Sequence, residues 1–143
     1  MTVKSILDQK GRIVTTLNPG DTIAAAAKIL ADRKIGAAVV VRDGNKIAGI
    51  LSERDIVRLV ASGGAAALAK PVSSAMTAKV KTCAEDNTVN DVMTIMTEGR
   101  FRHLPVETDG KLAGIISIGD VVKRRIDEAI REAEQIRAYI ATA

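Results

Sequence analysis

The stretch Ile47-Ala48-Gly49-Ile50-Leu51-Ser52-Glu53-Arg54-Asp55-Ile56-Val57 returns later in the chain as Leu112-Ala113-Gly114-Ile115-Ile116-Ser117-Ile118-Gly119-Asp120-Val121-Val122, with six of the eleven aligned pairs identical. Moving outward, Asp43-Gly44 matches Asp109-Gly110, and Thr22-Ile23 matches Thr88-Val89. The offset is 66 residues before the turn and 65 after it, so the first copy carries one extra residue, Asn45 or Lys46. Agreement in the same order over this distance identifies an internal duplication.

Each copy has the same internal order. An extended piece, Arg12 to Leu17 or Lys79 to Cys83, runs into a turn-prone cluster: Asn18-Pro19-Gly20-Asp21 or Glu85-Asp86-Asn87. A helix follows, Ile23–Arg33 with Asp21 or Thr22 as N-cap, and Val89–Glu98 with Asn87 or Thr88. In the second, Val89, Val92, Met93 and Met96 recur at helical spacing. Two strands joined by an Asp-Gly turn come next, Ala37–Val41 with Ile47–Leu51, and His103–Val106 with Leu112–Ile116. A last helix opens at Ser52 or Ser117. The fold class read from this order is α/β (α+β): two β-α-β-β-α repeats, at 4–62 and 75–127, joined by a Gly- and Ala-rich linker at 63–74. A C-terminal helical extension occupies 128–143. Its apolar stripe, Val122, Ile126, Ala129, Ala133, Ile136 and Ile140, steps by 4, 3, 4, 3 and 4. A helix of about 20 residues spans about 30 Å, longer than so small a unit needs, so the stripe is expected to pack on a second chain as a homodimer.

Composition narrows the function. With 47% hydrophobic residues but one Phe, one Tyr and no Trp, the core is aliphatic and no aromatic platform exists for stacking single-stranded nucleic acid. The net charge of +4 comes from 21 basic and 17 acidic residues spread along the chain. Such a modest excess reads as solvated surface, and nucleic-acid binding is not expected. The lone Cys83 excludes an internal disulfide and a multi-cysteine zinc site; aligned with Leu17, it reads as a buried strand residue. Met1 to Arg12 has no continuous apolar run of the secretory kind, and no stretch is long and apolar enough to span a bilayer. No membrane association and a cytoplasmic location are expected.

The chemistry sits in Gly49-Ile50-Leu51-Ser52-x-x-Asp55 and Gly114-Ile115-Ile116-Ser117-x-x-Asp120. Ser followed three residues later by an acid is close to a capping box, which by itself explains both residues. The same geometry also suits a ligand: a helix N-terminus offers free N–H groups to an anion, and a carboxylate there can accept both hydroxyls of a ribose. His103 is the only His, read either as a partly buried strand residue or, beside Arg102, as a phosphate contact. Pro105 removes a ladder donor, so its strand should be an edge or bulged, leaving backbone of Arg102–Leu104 free for a purine edge. The first copy places Gly36 and Ala37 there, small enough for a flat ring to reach the main chain. Thr16 and Thr82 fall at equivalent positions late in the first extended pieces, either as strand formers or as hydroxyl ligands. No nucleophile elbow, metal-ligand spacing, P-loop or dinucleotide fingerprint occurs, so no metal and no catalytic residue are assigned.

The twin units ending in Gly-x-x-Ser-x-x-Asp, the Asp-Gly hairpins and His103-Leu104-Pro105-Val106 resemble a tandem pair of CBS domains, a Bateman module, over about residues 4–127. The run from Ser117 to Lys123 resembles small stand-alone bacterial members. The resemblance implies pseudo-two-fold symmetry, two clefts between the repeats, and adenosine-containing ligands such as AMP, ADP, ATP or NAD(H) in place of any catalytic cofactor. It implies one site from Thr16, the backbone of Ile35, Gly36, Ala37 and Ala38, and Ser117 and Asp120. The other combines Thr82, the backbone of Arg102, His103 and Leu104 beside Pro105, and Ser52 and Asp55. Lys34, Arg54, Arg102 and His103 are the implied phosphate contacts. Gly119 stands where the first copy has Arg54, and Gly36-Ala37 where the second has Arg102-His103, so the two clefts should differ. The expected function is a non-catalytic nucleotide sensor acting on an unknown protein target. Enzymes that carry such pairs, the inosine-monophosphate dehydrogenases, need a barrel of about 250 residues, for which this chain has no room. A structural or nucleic-acid-binding adaptor using the basic surface and C-terminal helix is the alternative.

Overall fold

Each repeat is organised by an antiparallel hairpin whose turn sets its register. In the computed structural model, which describes residues 1–142, β2 (Ala37–Arg42) pairs with β3 (Lys46–Ser52), and β4 (His103–Thr108) pairs with β5 (Lys111–Ser117). The pairs Ala37↔Ser52 and His103↔Ser117 open the two ladders, and both ladders bulge at matching places, after Val40 and after Val106. The second turn is the two-residue Asp109-Gly110, with φ of 53° and 76°, the primed geometry that suits strand twist. In the first, Lys46 pairs with Arg42 as Lys111 pairs with Thr108, so the inserted residue is Asn45. Its side-chain amide donates to the Leu112 carbonyl at 3.0 Å and ties one hairpin to the other.

The helices α2 (Ile23–Arg33) and α4 (Val89–Gly99) begin at Thr22 and Thr88, whose hydroxyls accept from the third helical N–H. They end at Lys34 and Arg100, both left-handed with φ of 55° and 56°. The strand β1 (Thr16–Leu17) runs parallel to β2 through Thr16↔Val39 and Leu17↔Val40, giving a three-stranded sheet. The second repeat keeps only the bridge Cys83↔Val106 beside a two-stranded sheet. Pro105 explains the loss: it stands where Val39 does and has no N–H with which to pair to the Thr82 segment.

The sequence order gave no element before Arg12. The structure has one, α1 (Val3–Lys10), with Thr2 and Ser5 in a reciprocal cap. Its apolar residues Val3, Ile6 and Leu7 are buried in the core of the second repeat, with Val92, Met96, Leu104 and Ile116. The stretch Pro71–Thr77 does the converse. Val72 is buried in the core of the first repeat with Leu17, Leu30 and Leu51, and Thr77 bridges Ile50. The bridges Thr2↔Thr88 and Thr22↔Pro71 mark the two crossings at equivalent points. Each repeat is thus completed by the arm that precedes the other. The glycines of the repeated motif make this possible. A Cβ on Gly49 would lie 2.6 Å from the Thr77 carbonyl oxygen, and one on Gly114 2.8 Å from a Leu7 methyl.

Between the repeats, the segment read as a flexible linker forms short 3-10 turns at Gly64–Ala69 and Val72–Ser74, with Ala67 and Val72 buried. After β3 comes α3 (Glu53–Gly63), and after β5 comes α5 (Ile118–Thr142), 25 residues long and so about 37 Å. Of α5 only Val121 is buried; Val122, Ile126, Ile136 and Ile140 are exposed. Among the described residues no helix is long and apolar enough to cross a membrane.

Candidate functional site

Both Ser-x-x-Asp turns adopt one geometry. The Ser52 N–H donates to Asp55 Oδ2 at 2.9 Å, and the Asp55 N–H donates to Ser52 Oγ at 3.2 Å. Ser117 and Asp120 repeat the exchange at 2.9 and 3.2 Å. These are full capping boxes. Among the described residues no hydrogen bond engages Oδ1 of either Asp, so each carboxylate keeps an acceptor for a ligand. The helices are also pinned to the opposite end of their hairpins: Glu53 N–H donates to the Gly36 carbonyl at 2.9 Å, and Ile118 N–H to the Arg102 carbonyl at 2.8 Å.

That pinning narrows the backbone expected to be free. The Arg102 carbonyl is taken, because it closes the ladder to the start of α5. Ladder groups alternate in direction, and the Pro105 carbonyl points outward to accept from Cys83 N–H at 3.0 Å. His103, two residues earlier, shares that outward orientation, while Leu104 faces β5. The main chain available to a flat ring is therefore that of His103, and not the whole of Arg102–Leu104. In the first repeat Ala37 holds the matching position, between Gly36 and Ala38.

The repeats meet at Gly36. A Cβ there would lie 3.6 Å from Glu53 Oε1 and 3.8 Å from His103 Cε1, ordinary contact distances that place the imidazole and the carboxylate beside the main chain of Gly36. The His103 imidazole is half-buried and its pKa is lowered by burial and by the Lys10 and Arg102 cations, against the opposing pull of Asp120 and Glu53. It is accordingly neutral at neutral pH. Lys10, at the end of α1, donates to Asp120 Oδ2 at 2.7 Å and to the Ile115 carbonyl at 2.9 Å. Burial would raise the Asp120 pKa, but the Lys10 ammonium and Ser117 N–H outweigh it and hold the carboxyl below its usual range.

The other expected residues are less gathered. Thr16 is exposed on β1 and Thr82 half-buried, and among the described residues neither hydrogen-bonds the Ser or Asp of the opposite repeat. Lys34, with Ile35, Gly36, Glu53, Ile56 and Val57, borders a groove of about 430 Å³ between α2 and α3. Arg54 and Arg102 are exposed. Over Gly119 the space is open, a Cβ there meeting only Ser117 Oγ at 3.6 Å. Cys83 is buried, which pushes its thiol up to about 12. No group of side chains suited to a metal ion occurs among the described residues.

Sequence reasoning missed Lys10 and Glu53. Glu53 lies inside the repeated motif, but Ile118 replaces it in the second copy, so the alignment passed over it. Lys10 carried no signal at all, since its role depends on α1 crossing to the far repeat. The spacing of Val3, Ile6 and Leu7 was the available hint that α1 exists.

The family model for the CBS domain matches twice, at residues 4–62 and 72–127. The chain belongs to the CBS-domain family. Both matches begin within the exchanged arms, so each family unit carries its own arm and lends it to the neighbouring repeat. A CBS-domain protein of Agrobacterium tumefaciens, ATU1752, is 53% identical in its crystal structure, with a TM-score of 0.83 over 87% of this chain and 92% of that one. The CBS domain pair of protein MJ0100, solved in complex with 5′-methylthioadenosine and S-adenosyl-L-methionine, is 27% identical, with a TM-score of 0.80 over 90% of this chain and 98% of that one. Among curated relatives, the mitochondrial CBS domain-containing protein CBSX3 of Arabidopsis thaliana is 33% identical over 97% of this chain and 71% of its own length.

Proposed function

We propose that this CBS pair is a non-catalytic regulatory module that binds an adenine nucleotide (AMP, ADP, ATP or NAD(H)) between its repeats and signals to a protein target through its shape. The observation that carries the reading is the pair of matched capping boxes, each leaving an Asp oxygen open at the start of a helix. The adenosine derivatives bound by MJ0100 support the ligand class. One cleft consists of Thr16, the backbone around Ala37, Ser117 and Asp120; the other of Thr82, the backbone of His103, Ser52 and Asp55. The Asp carboxylates take the ribose hydroxyls, and Arg54, Arg102, His103 and Lys34 are available to phosphate. The functional pair is 4–62 with 75–127, and a cytoplasmic setting belongs to the same reading.

The module works as a homodimer through the exposed stripe of α5. Val122, Ile126, Ala129, Ala133, Ile136 and Ile140 follow the alternating 4 and 3 spacing of a coiled-coil seam. Glu132 and Arg137 flank it five residues apart, so parallel pairing of two copies sets each Glu132 against the other copy's Arg137. Calorimetric titration with AMP, ATP and NADH tests the sensor. Binding of at least one nucleotide, lost on Asp120→Ala or Asp55→Ala, is expected. If none binds more tightly than millimolar and neither substitution matters, the sensor reading fails. Sedimentation of an Ile126→Lys, Ile136→Lys double variant tests the dimer, which should become monomeric.

A further inference from the structure

The carboxylates at the two turns differ in one respect that concerns ligand charge. Among the described residues Asp55 Oδ2 accepts only from its own capping partner, Ser52 N–H. Asp120 Oδ2 accepts from Ser117 N–H and also from the Lys10 ammonium. The second bond of Lys10, to the Ile115 carbonyl, shows how it comes to be there. The equivalent carbonyl in the first repeat, that of Ile50, accepts from the backbone N–H of Thr77 at 2.9 Å. In the second repeat the arm is still helical at this point, and a lysine side chain supplies the donor instead. The arm thus brings a full positive charge to Asp120, whereas the other arm brings only a backbone N–H to the equivalent carbonyl beside Asp55.

The surroundings extend that charge. Beside Asp120 lies a hollow of about 210 Å³ bordered by Lys10, Lys123 and Arg124 together with Asp120 and Asp127. Three cations and two carboxylates leave the hollow with an excess positive charge. A ribose diol that takes both oxygens of Asp120 competes with Lys10 for Oδ2. The ammonium keeps the Ile115 carbonyl and is left short of one acceptor. A phosphate on the ribose supplies it, and a neutral or cationic substituent does not. Charge-assisted hydrogen bonds are roughly twice as strong as neutral ones, so the loss is uneven between the two kinds of ligand.

We propose that Lys10 makes the Asp120 cleft selective for adenosine ligands carrying a phosphate over neutral or cationic adenosine derivatives, a selector that the arm of the other repeat does not supply to Asp55. This rests on the ligand-binding reading above. The test is calorimetric titration of the full chain with AMP and with 5′-methylthioadenosine, in an Asp55→Ala background that isolates the Asp120 cleft. AMP should bind at least tenfold more tightly. Lys10→Gln should remove most of that preference by weakening AMP while leaving 5′-methylthioadenosine unchanged or tighter, and Lys10→Arg should retain it. In an Asp120→Ala background Lys10→Gln should change neither affinity. Equal weakening of both ligands by Lys10→Gln, in proteins whose melting curves match their parents, overturns the proposal and leaves the sensor reading standing. Binding of neither ligand to the unsubstituted chain overturns the proposal, and if ATP and NADH also fail to bind, the sensor reading falls with it. If the Asp55→Ala background does not fold, Asp55→Asn, which keeps an acceptor for the cap, takes its place.

Discussion

The first repeat is completed by a short arm and the second by a helix. Pro71–Thr77 lies against β3 through backbone bridging, with Val72 as its one fully buried side chain. Helix α1 lies against β5 with Val3, Ile6 and Leu7 all buried, and ends on Lys10. The strands beneath are near copies, with glycine at the same position and the same capping box beyond. The difference teaches that a duplicated motif does not make duplicated sites. What arrives from the other repeat decides whether the capping carboxylate also meets a lysine.

The largest effect expected from breaking this comparison is in the arms. Leu7→Ala empties a fully buried position and should cost about 2–5 kcal/mol, whereas Met76→Ala, partly buried on the first repeat, should cost clearly less. Denaturant titration of both variants measures the asymmetry, and equal losses would mean the arms are energetically alike. Next come the glycines. Gly49→Ala drives a methyl to 2.6 Å from a backbone oxygen, and Gly114→Ala drives one to 2.8 Å from a Leu7 methyl. Since a side chain yields more readily than backbone, Gly49→Ala should fall in the overpacking range of about 1–3 kcal/mol and Gly114→Ala below it.

The caps should behave alike. Ser52→Ala and Ser117→Ala each remove one side-chain acceptor at matching distances, and each should lose about 1 kcal/mol in the same urea titration. The smallest effect concerns pH. Asp120 has a lowered pKa in the folded protein, so its contribution is present above the unfolded carboxylate range and fades as pH falls through the folded value. The Lys10–Asp120 pair is partly exposed, which keeps the contribution to about 1 kcal/mol or less. In stability measured from neutral to acid pH, Asp120→Asn should lose that component. The wild type and the variant should therefore converge at the acid end.

Much of the fold was legible because duplication makes local signals check one another. The Asp-Gly turns, the threonine caps and the Ser-x-x-Asp starts each occur twice, and all of them act over three or four residues, the range in which a side chain meets its own backbone. Pro105 told of a weakened ladder for a reason internal to proline, its missing N–H, and the sheet is indeed one strand pair short there. The inserted residue was narrowed to Asn45 or Lys46 by counting, but only strand register chose between them. Helix α1 was passed over because it has no twin: the matching arm forms only the short 3-10 turn Val72–Ser74, so comparing the copies hid it.

By itself, then, the sequence determined the two repeats, their order of elements, and the chemistry at the start of α3 and α5, since those follow from bonds between near neighbours. Only the tertiary structure decided that each arm crosses to the other repeat, that Gly36, His103 and Glu53 come to one point, and that Lys10 reaches Asp120. These contacts join residues far apart in the chain, Lys10 and Asp120 by 110 positions. No local pattern encodes them; they exist because burying Leu7 against Gly114 fixes where the next turn of α1 must end.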